Sequence, residues 1–474
     1  MHASPAALVA AVAALSCASL STAAAQTIAV VGGTVIDATG RPPIADGVIL
    51  IENGRITAVG RAGTVTIPTS ATRIDARGKH VVPGLMDANL HLYLNIDLET
   101  LIRHEDRYAE IALEGAQIAL KSGLTTVFDT WGPRAALVKV RDMINAGQAI
   151  GSRIYLAGNI IGFSGPLGPD FIGVAAPHVS KAFAKRVNET WEQGTGRELL
   201  WMEPDSVRAA VRKYAALDVD FLKYGASGHV EMNLISFSPR VQRAIVEEGH
   251  RAGKTVQTHT TSIESLDMAI DAGVDIITHG DISGPVYPIP EATIRKLADR
   301  RIAVSVLAVT KRHRDALTQH VPNGVLTPYM NIAATNIRNM SKAGVSLLLS
   351  TDAGIQHPIL AAESPTLAAD TVDSRTRLGE GHFNALVALE EAGLSPMAVL
   401  QSATSNVARA YKLDNEIGTL EPGRRADLLI LDADPFASAR NYRAIHTVMK
   451  DGKVVDRDAL PVAPIISSQR PPNP

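Results

Sequence analysis

The chain has 474 residues, 46% of them hydrophobic and 20% charged, enough for one large barrel with a satellite or for two or three ordinary domains. Its 46 basic residues nearly balance its 48 acidic ones, which excludes a nucleic-acid footprint and a polybasic membrane-surface patch. The single cysteine, Cys17, lies in the N-terminal leader; beyond it there is no thiol for disulfides, metal ligation or nucleophilic attack, so any metal has nitrogen and oxygen donors.

In chain order, an Ala/Val/Leu-rich run over residues 6–15 precedes Ala23-Ala24-Ala25. It reads as a secretory signal over residues 1–25, too short to span a bilayer; the competing reading is an unstructured Ala-rich leader. The expectation is an exported protein, periplasmic or secreted, with no stable membrane insertion. Its expected partners are a small-molecule substrate and further copies of itself in a homo-oligomer, with no nucleic acid.

Residues 26–80 show short β-type runs, Ile28-Ala29-Val30-Val31, then residues 47–51 and 56–59, with Asn53-Gly54 as a hairpin signal between the last two. The same texture returns in residues 416–460, around 426–431 and 447–455. The two ends predict one small composite β-sandwich. The middle, residues 81–415, alternates β-branched runs with helical stretches. Eight strands are predicted, over residues 85–90, 125–130, 153–157, 221–224, 256–259, 275–278, 303–307 and 346–350. The expected fold class is therefore α/β, a (β/α)8 TIM barrel, in which catalytic groups sit at the C-terminal strand ends. Residues 158–204 form the longest connection and carry Phe163, Phe171, Trp191 and Trp201. That clustering predicts a lid or pocket wall, with plain packing as the alternative. Residues 461–474 read as a tail, disordered from 467 onward.

Potential metal ligands fall in order at the predicted strand ends: Asn89 and His91 in Pro83-Gly84-Leu85-Met86-Asp87-Ala88-Asn89-Leu90-His91, then Lys223, His259, His279 and Asp352. Lys223 stands alone in an apolar strand, where a buried ammonium is costly; a salt-bridged core lysine is the plain alternative. A single strand histidine is ordinarily structural, but two at successive strand ends after a buried lysine point to a metal. Asp352, in Ser350-Thr351-Asp352-Ala353-Gly354, is a carboxylate ligand or else a helix cap. Neither Gly-x-Ser-x-Gly nor a Walker-type phosphate loop occurs.

Together with Thr-His-Gly and the closing Gly418-Thr419-Leu420-Glu421-Pro422-Gly423 segment, these motifs resemble the metal-dependent amidohydrolase superfamily over nearly the whole chain beyond the leader. The first site motif departs from the superfamily's usual His-x-His. Its Asn-x-His is similar to that of the phenylurea hydrolases and molinate hydrolase. The resemblance implies two divalent metal ions, zinc first with cobalt or manganese as alternatives, held by Asn89, His91, Lys223, His259, His279 and Asp352. It further implies that Lys223 takes up carbon dioxide to become a bridging carbamate, and that a metal-bridging hydroxide attacks the substrate. Asp352 then shuttles the proton to the leaving amine. An amide oxygen at position 89 is a harder, weaker donor than imidazole; a second reading makes Asn89 an orienting partner of His91 in a one-metal site. Tyr224 and His229, after Lys223, are candidate donors to the developing oxyanion. His313 and His357 are further loop histidines, read as non-ligands.

The function expected is hydrolysis of an amide-like C–N bond, in an N-acyl, urea, carbamate or thiocarbamate group of a neutral, fairly apolar substrate. One alternative is an exported dipeptidase or N-acyl-amino-acid amidohydrolase, which needs a cation such as Arg312 or Arg314 for the substrate carboxylate. The other is a non-catalytic small-molecule binder on a decayed hydrolase scaffold.

Overall fold

A computed structural model of the chain describes residues 27–93, 98–170, 179–228, 233–284, 287–320, 327–355 and 373–468. The leader, Phe171, His229, His357 and residues 469–474 lie outside them. Among the described residues no helix is long and apolar enough to cross a membrane.

Five strands come first: β1 (Thr27–Val35), β2 (Ile44–Glu52), β3 (Arg55–Arg61), β4 (Thr72–Asp75) and β5 (His80–Pro83). The turn between β2 and β3 is Asn53-Gly54, with φ of 51° and 77°. Positive φ at both central residues matches the right-handed twist of a two-residue hairpin, and Asn and Gly tolerate it. Nine more strands fill the middle: β6 (Leu85–Leu90), β7 (Leu124–Asp129), β8 (Arg153–Leu156), β9 (Ile160–Ile161), β10 (Leu222–Gly225), β11 (Val256–His259), β12 (Ile276–Thr278), β13 (Ala303–Val306) and β14 (Leu347–Leu349). The C-terminal region adds β15 (Leu428–Leu431), β16 (Ile445–Lys450) and β17 (Lys453–Val454).

The two chain ends share one eight-stranded sheet, in the order β17-β16-β15-β5-β1-β2-β3 with β4 also beside β1. Its central joint is β15 lying antiparallel on β5. Alternate residues of β15 point to opposite faces. Leu428 and Ile430 join an apolar core with Val30, Ile49 and Ile56, whereas Leu429 and Leu431 join the core shared with the middle of the chain. Buried Arg153, which opens β8, locks the two parts together by pairing with Asp427 and Asp451 at 2.5 and 2.6 Å.

In the middle, β6-β7-β8 and β9 through β14 form two parallel ladders with helices between successive strands. The eight strands expected from sequence all occur, each within one residue of its expected ends; β9, parallel to β10, is additional. β6, β7, β10, β11 and β13 are buried at every position, as strands covered on both faces must be. Across from β6, the N–H groups of Thr351 and Asp352 donate to the Asn89 carbonyl at 3.3 and 3.0 Å, and His91 N–H donates to the Ala353 carbonyl at 2.9 Å. These bonds bring the ends of β6 and β14 side by side.

The C-terminal tail departs from expectation as far as residue 468. Buried Glu114 accepts the backbone N–H groups of Ile465, Ile466 and Ser467 at 2.7–2.9 Å, and Ile466 is buried in the main core. A carboxylate that bonds three successive amides orders the tail up to residue 467, where the stretch expected to be disordered begins.

Candidate active site

Strand alternation decides which side chains of β10 face inward. Lys223 is buried, and its Nζ donates to Asn89 Oδ1 at 2.9 Å and to Thr130 Oγ1 at 3.0 Å. Tyr224, one residue on, points to the opposite face, where its hydroxyl donates to Gln242 Oε1 at 3.0 Å in the helix Pro239–Arg251. The expected oxyanion role of Tyr224 is thereby corrected: a period of two cannot send neighbouring side chains into one site. His229, the other expected donor, lies outside the described residues.

Around Lys223 the other expected residues converge. Asn89 Nδ2 donates to Asp352 Oδ1 at 2.5 Å, while its Oδ1 accepts from Lys223 and from the Thr130 hydroxyl. Only this orientation of the amide matches donors to acceptors on both sides. His91 Nε2 lies 3.3 Å from Asp352 Oδ1, and His279 Nε2 lies 3.8 Å from Asp352 Oδ2. The rings of His259 and His279 meet edge to face with centroids 4.7 Å apart. His279 and Asp352 both adopt left-handed backbone, with φ of 42° and 55°. That conformation costs a non-glycine residue roughly 1–3 kcal/mol and clusters at functional sites.

The hydrogen bonds also fix tautomers. His91 Nδ1 faces the Trp131 carbonyl at 3.2 Å and His259 Nε2 faces the Gly228 carbonyl at 3.3 Å. A carbonyl only accepts, so those nitrogens carry the protons and the opposite ring nitrogens carry the lone pairs. His91 then presents its Nε2 lone pair to a carboxylate oxygen, an arrangement that calls for a shared cation. Burial lowers the His91 pKa despite the opposing pull of Asp352, which disfavours a proton in that role. Among the described residues no three His, Asp or Glu side chains already form a closed coordination shell. The donor set, three imidazoles, one carboxylate, one amide oxygen and an amine, nevertheless fits divalent ions in number and chemistry.

Burial pulls the Lys223 ammonium down to a pKa of about 8, against the opposing pull of the Asp352 and Asp129 carboxylates. Burial alone would raise Asp352, but His279, His91 and Lys223 outweigh it and hold the carboxyl well below its usual range. Three further carboxyls, Asp87, Asp129 and Asp281, are raised to about 7 by burial. Asp87 accepts the Thr351 hydroxyl at 2.5 Å and Asn89 N–H at 3.1 Å. Asp129 accepts the N–H groups of Leu92 and Trp131 at 2.7 and 3.2 Å, and Asp281 accepts Leu307 N–H at 2.9 Å. They orient the segments that carry the site. Sequence reasoning missed these three and Thr130, although Asp129 and Thr130 occupy the end of a predicted strand, the position that the barrel rule marks.

The aromatic residues of the long connection divide. Phe163 packs edge-on to His259, centroids 5.9 Å apart. Buried Trp191 joins Tyr93, Tyr108 and Trp131, and Trp131 meets His91 edge-on at 6.1 Å. Trp201 is 81% exposed and faces solvent. His313 is buried on the helix Lys311–His320.

Residues 80–455 match the family model described as the amidohydrolase family. The structure of molinate hydrolase superposes with a TM-score of 0.88 at 36% identity, covering 94% of this chain and 98% of that one. Phenylurea hydrolase B superposes with the same TM-score at 34% identity, covering 94% and 100%. Imidazolonepropionase from Geobacillus kaustophilus (strain HTA426) is 25% identical over 445 residues, 88% of this chain and 91% of its own. A family model spanning most of the chain, with two hydrolases alike in sequence and shape over nearly all of it, leads to one conclusion: the chain belongs to the amidohydrolase family and is a hydrolase of carbon–nitrogen bonds.

Proposed function

We propose that this protein is an exported, homo-oligomeric, metal-dependent hydrolase, a (β/α)8 barrel with a composite β-domain, that cleaves the C–N bond of an N-acyl, urea, carbamate or thiocarbamate group. The observation that carries this reading is the convergence of Asn89, His91, Lys223, His279 and Asp352 through contacts of 2.5–3.8 Å, with His259 stacked edge-on against His279. Similarity to molinate hydrolase and phenylurea hydrolase B supports the substrate range.

His91, Asn89, His259, His279 and Asp352 would hold two divalent ions, zinc first, together with Lys223 as its carbamate. Bound there, the ions would acidify water and polarise the scissile carbonyl. Lys223 suits carbamate formation because burial depresses its pKa to about 8, so a reactive neutral fraction exists near neutrality. Asp352, held ionised by its neighbours His279, His91 and Lys223, accepts the proton of the attacking water and returns it to the leaving nitrogen as the C–N bond breaks. Asp87 and Asp129 hold Asn89, Leu92 and Trp131 in place, and Trp131 in turn fixes the His91 tautomer. Phe163 and Trp131 set apolar rings edge-on against His259 and His91 and so form apolar walls of the site.

The test is metal analysis of the purified full chain, then a hydrolysis screen of N-acyl amino acids, phenylureas and carbamates after reconstitution with zinc, cobalt or manganese. Stoichiometric metal with turnover of at least one class is expected. A protein that takes up no metal and hydrolyses nothing is a binder on a decayed scaffold, and the reading fails.

A further inference from the structure

After Asp352 the chain returns, at residues 373–381, beside the end of β14. Gly354 N–H donates to the Thr376 carbonyl at 3.0 Å, and Leu378 N–H donates to the Gly354 carbonyl at 3.1 Å. Asp373 accepts the Thr310 hydroxyl at 3.0 Å, and the Asn384 amide donates to the Ser374 carbonyl at 2.9 Å. Gly381 lets this return pack closely, because a Cβ there would lie 1.8 Å from the Arg375 carbonyl oxygen. Each of these contacts limits the freedom of the segment that carries Arg375.

Arg375 is only 9% exposed. Its Nη1 donates at 2.9 Å to the carbonyl of Thr351, the residue before Asp352. Its charge also acts on Asp281, two residues beyond His279. The Thr351 bond puts the guanidinium just beyond the end of β14, against the residue that precedes Asp352. Among the described residues only the Thr351 bond engages it, and the Asp281 carboxylate that feels its charge forms no ion pair with it. A guanidinium offers five N–H donors, so the buried charge is incompletely matched. The two arginines singled out from sequence are engaged elsewhere: Arg312 is 73% exposed and pairs with Asp373 at 3.5 Å, and Arg314 donates to the Val309 carbonyl at 2.6 Å.

We infer that Arg375 receives the carboxylate of the substrate, so that the bond cleaved is the amide of an N-acylated amino acid, whose leaving amine carries that carboxylate. The planar fork of the guanidinium matches a carboxylate in a bidentate pair, and the site walls formed by Phe163 and Trp131 suit an apolar remainder. This assignment rests on the C–N hydrolase reading and narrows its substrate class. In the reaction, water adds its oxygen to the acyl carbon, the C–N bond breaks, and the nitrogen leaves with the proton returned by Asp352. The products are a carboxylic acid and a free amino acid.

The experiment compares kcat/KM of the metal-reconstituted full chain on N-acyl-L-amino acids with apolar side chains and on the corresponding carboxamides. The native enzyme should prefer the acid by roughly 100-fold or more, the size expected when a buried charge partner is removed. Arg375→Met should bring that ratio close to one, and Arg375→Lys should leave an intermediate preference. A purely structural role lowers both substrates together, so a ratio unchanged in the variants overturns the assignment, as does a native ratio near one. Should the Met variant fail to fold, the Lys variant and the native ratio decide the matter. Turnover of ureas or carbamates without either N-acyl substrate defeats the Arg375 assignment and leaves the C–N reading standing; no turnover of any C–N substrate defeats both.

Discussion

Replacing Lys223 with methionine separates what this residue does for chemistry from what it costs the fold. In the folded chain burial holds the ammonium at a pKa of about 8 against an ordinary 10.5. That difference corresponds to about 3 kcal/mol of folding free energy lost at pH 7. Its bonds to Asn89 and Thr130 return about 1 kcal/mol each. A methionine of similar volume removes both effects, so the metal-stripped variant should be about 1 kcal/mol more stable than the metal-stripped native protein at pH 7. The sign of the pH dependence follows from proton counting. Between pH 8 and 10.5 the unfolded chain binds more protons at this lysine than the folded one, so native stability rises with pH through that window and the variant lacks that rise. Urea denaturation at pH 7, 9 and 10.5 reads both effects, and metal analysis and turnover of the reconstituted proteins read the third, a complete loss in the variant. Equal pH slopes, or a Lys223→Met protein that keeps its metal and its activity, would refute the reasoning.

Asp352→Asn removes the proton acceptor and a ligand, and kcat should fall by about 10³-fold or more, measured on the best substrate of the screen. Asn89→His restores an imidazole; chelator competition should show metal retained at least as tightly, while the larger ring in a fully buried position costs about 1–3 kcal/mol in urea denaturation. Glu114→Gln exchanges an acceptor oxygen for a donor beneath three backbone N–H groups, a loss of about 2 kcal/mol. Limited proteolysis should then clip the chain near residues 461–468 with turnover preserved; an uncut tail would mean that burial of Ile466 alone holds it.

Local pattern and order along the chain determined much of this protein. Alternation of β-branched runs with helical stretches marked eight parallel strands to within a residue, and Asn53-Gly54 marked the hairpin, because strand period and turn chemistry are properties of neighbouring residues. The order Asn89, His91, Lys223, His259, His279, Asp352 was legible for the same reason: each stands at the end of a recognisable strand. Tertiary structure decided the rest. Only the pleat of β10 sends Tyr224 to Gln242 while Lys223 turns to Asn89, and only packing puts Thr130 between them. The clamp of Glu114 on residues 465–467 and the buried approach of Arg375 to Thr351 join segments with no common local signal. Hydrogen bonds between positions distant in the chain depend on how the strands are juxtaposed, and no periodicity along the sequence encodes that.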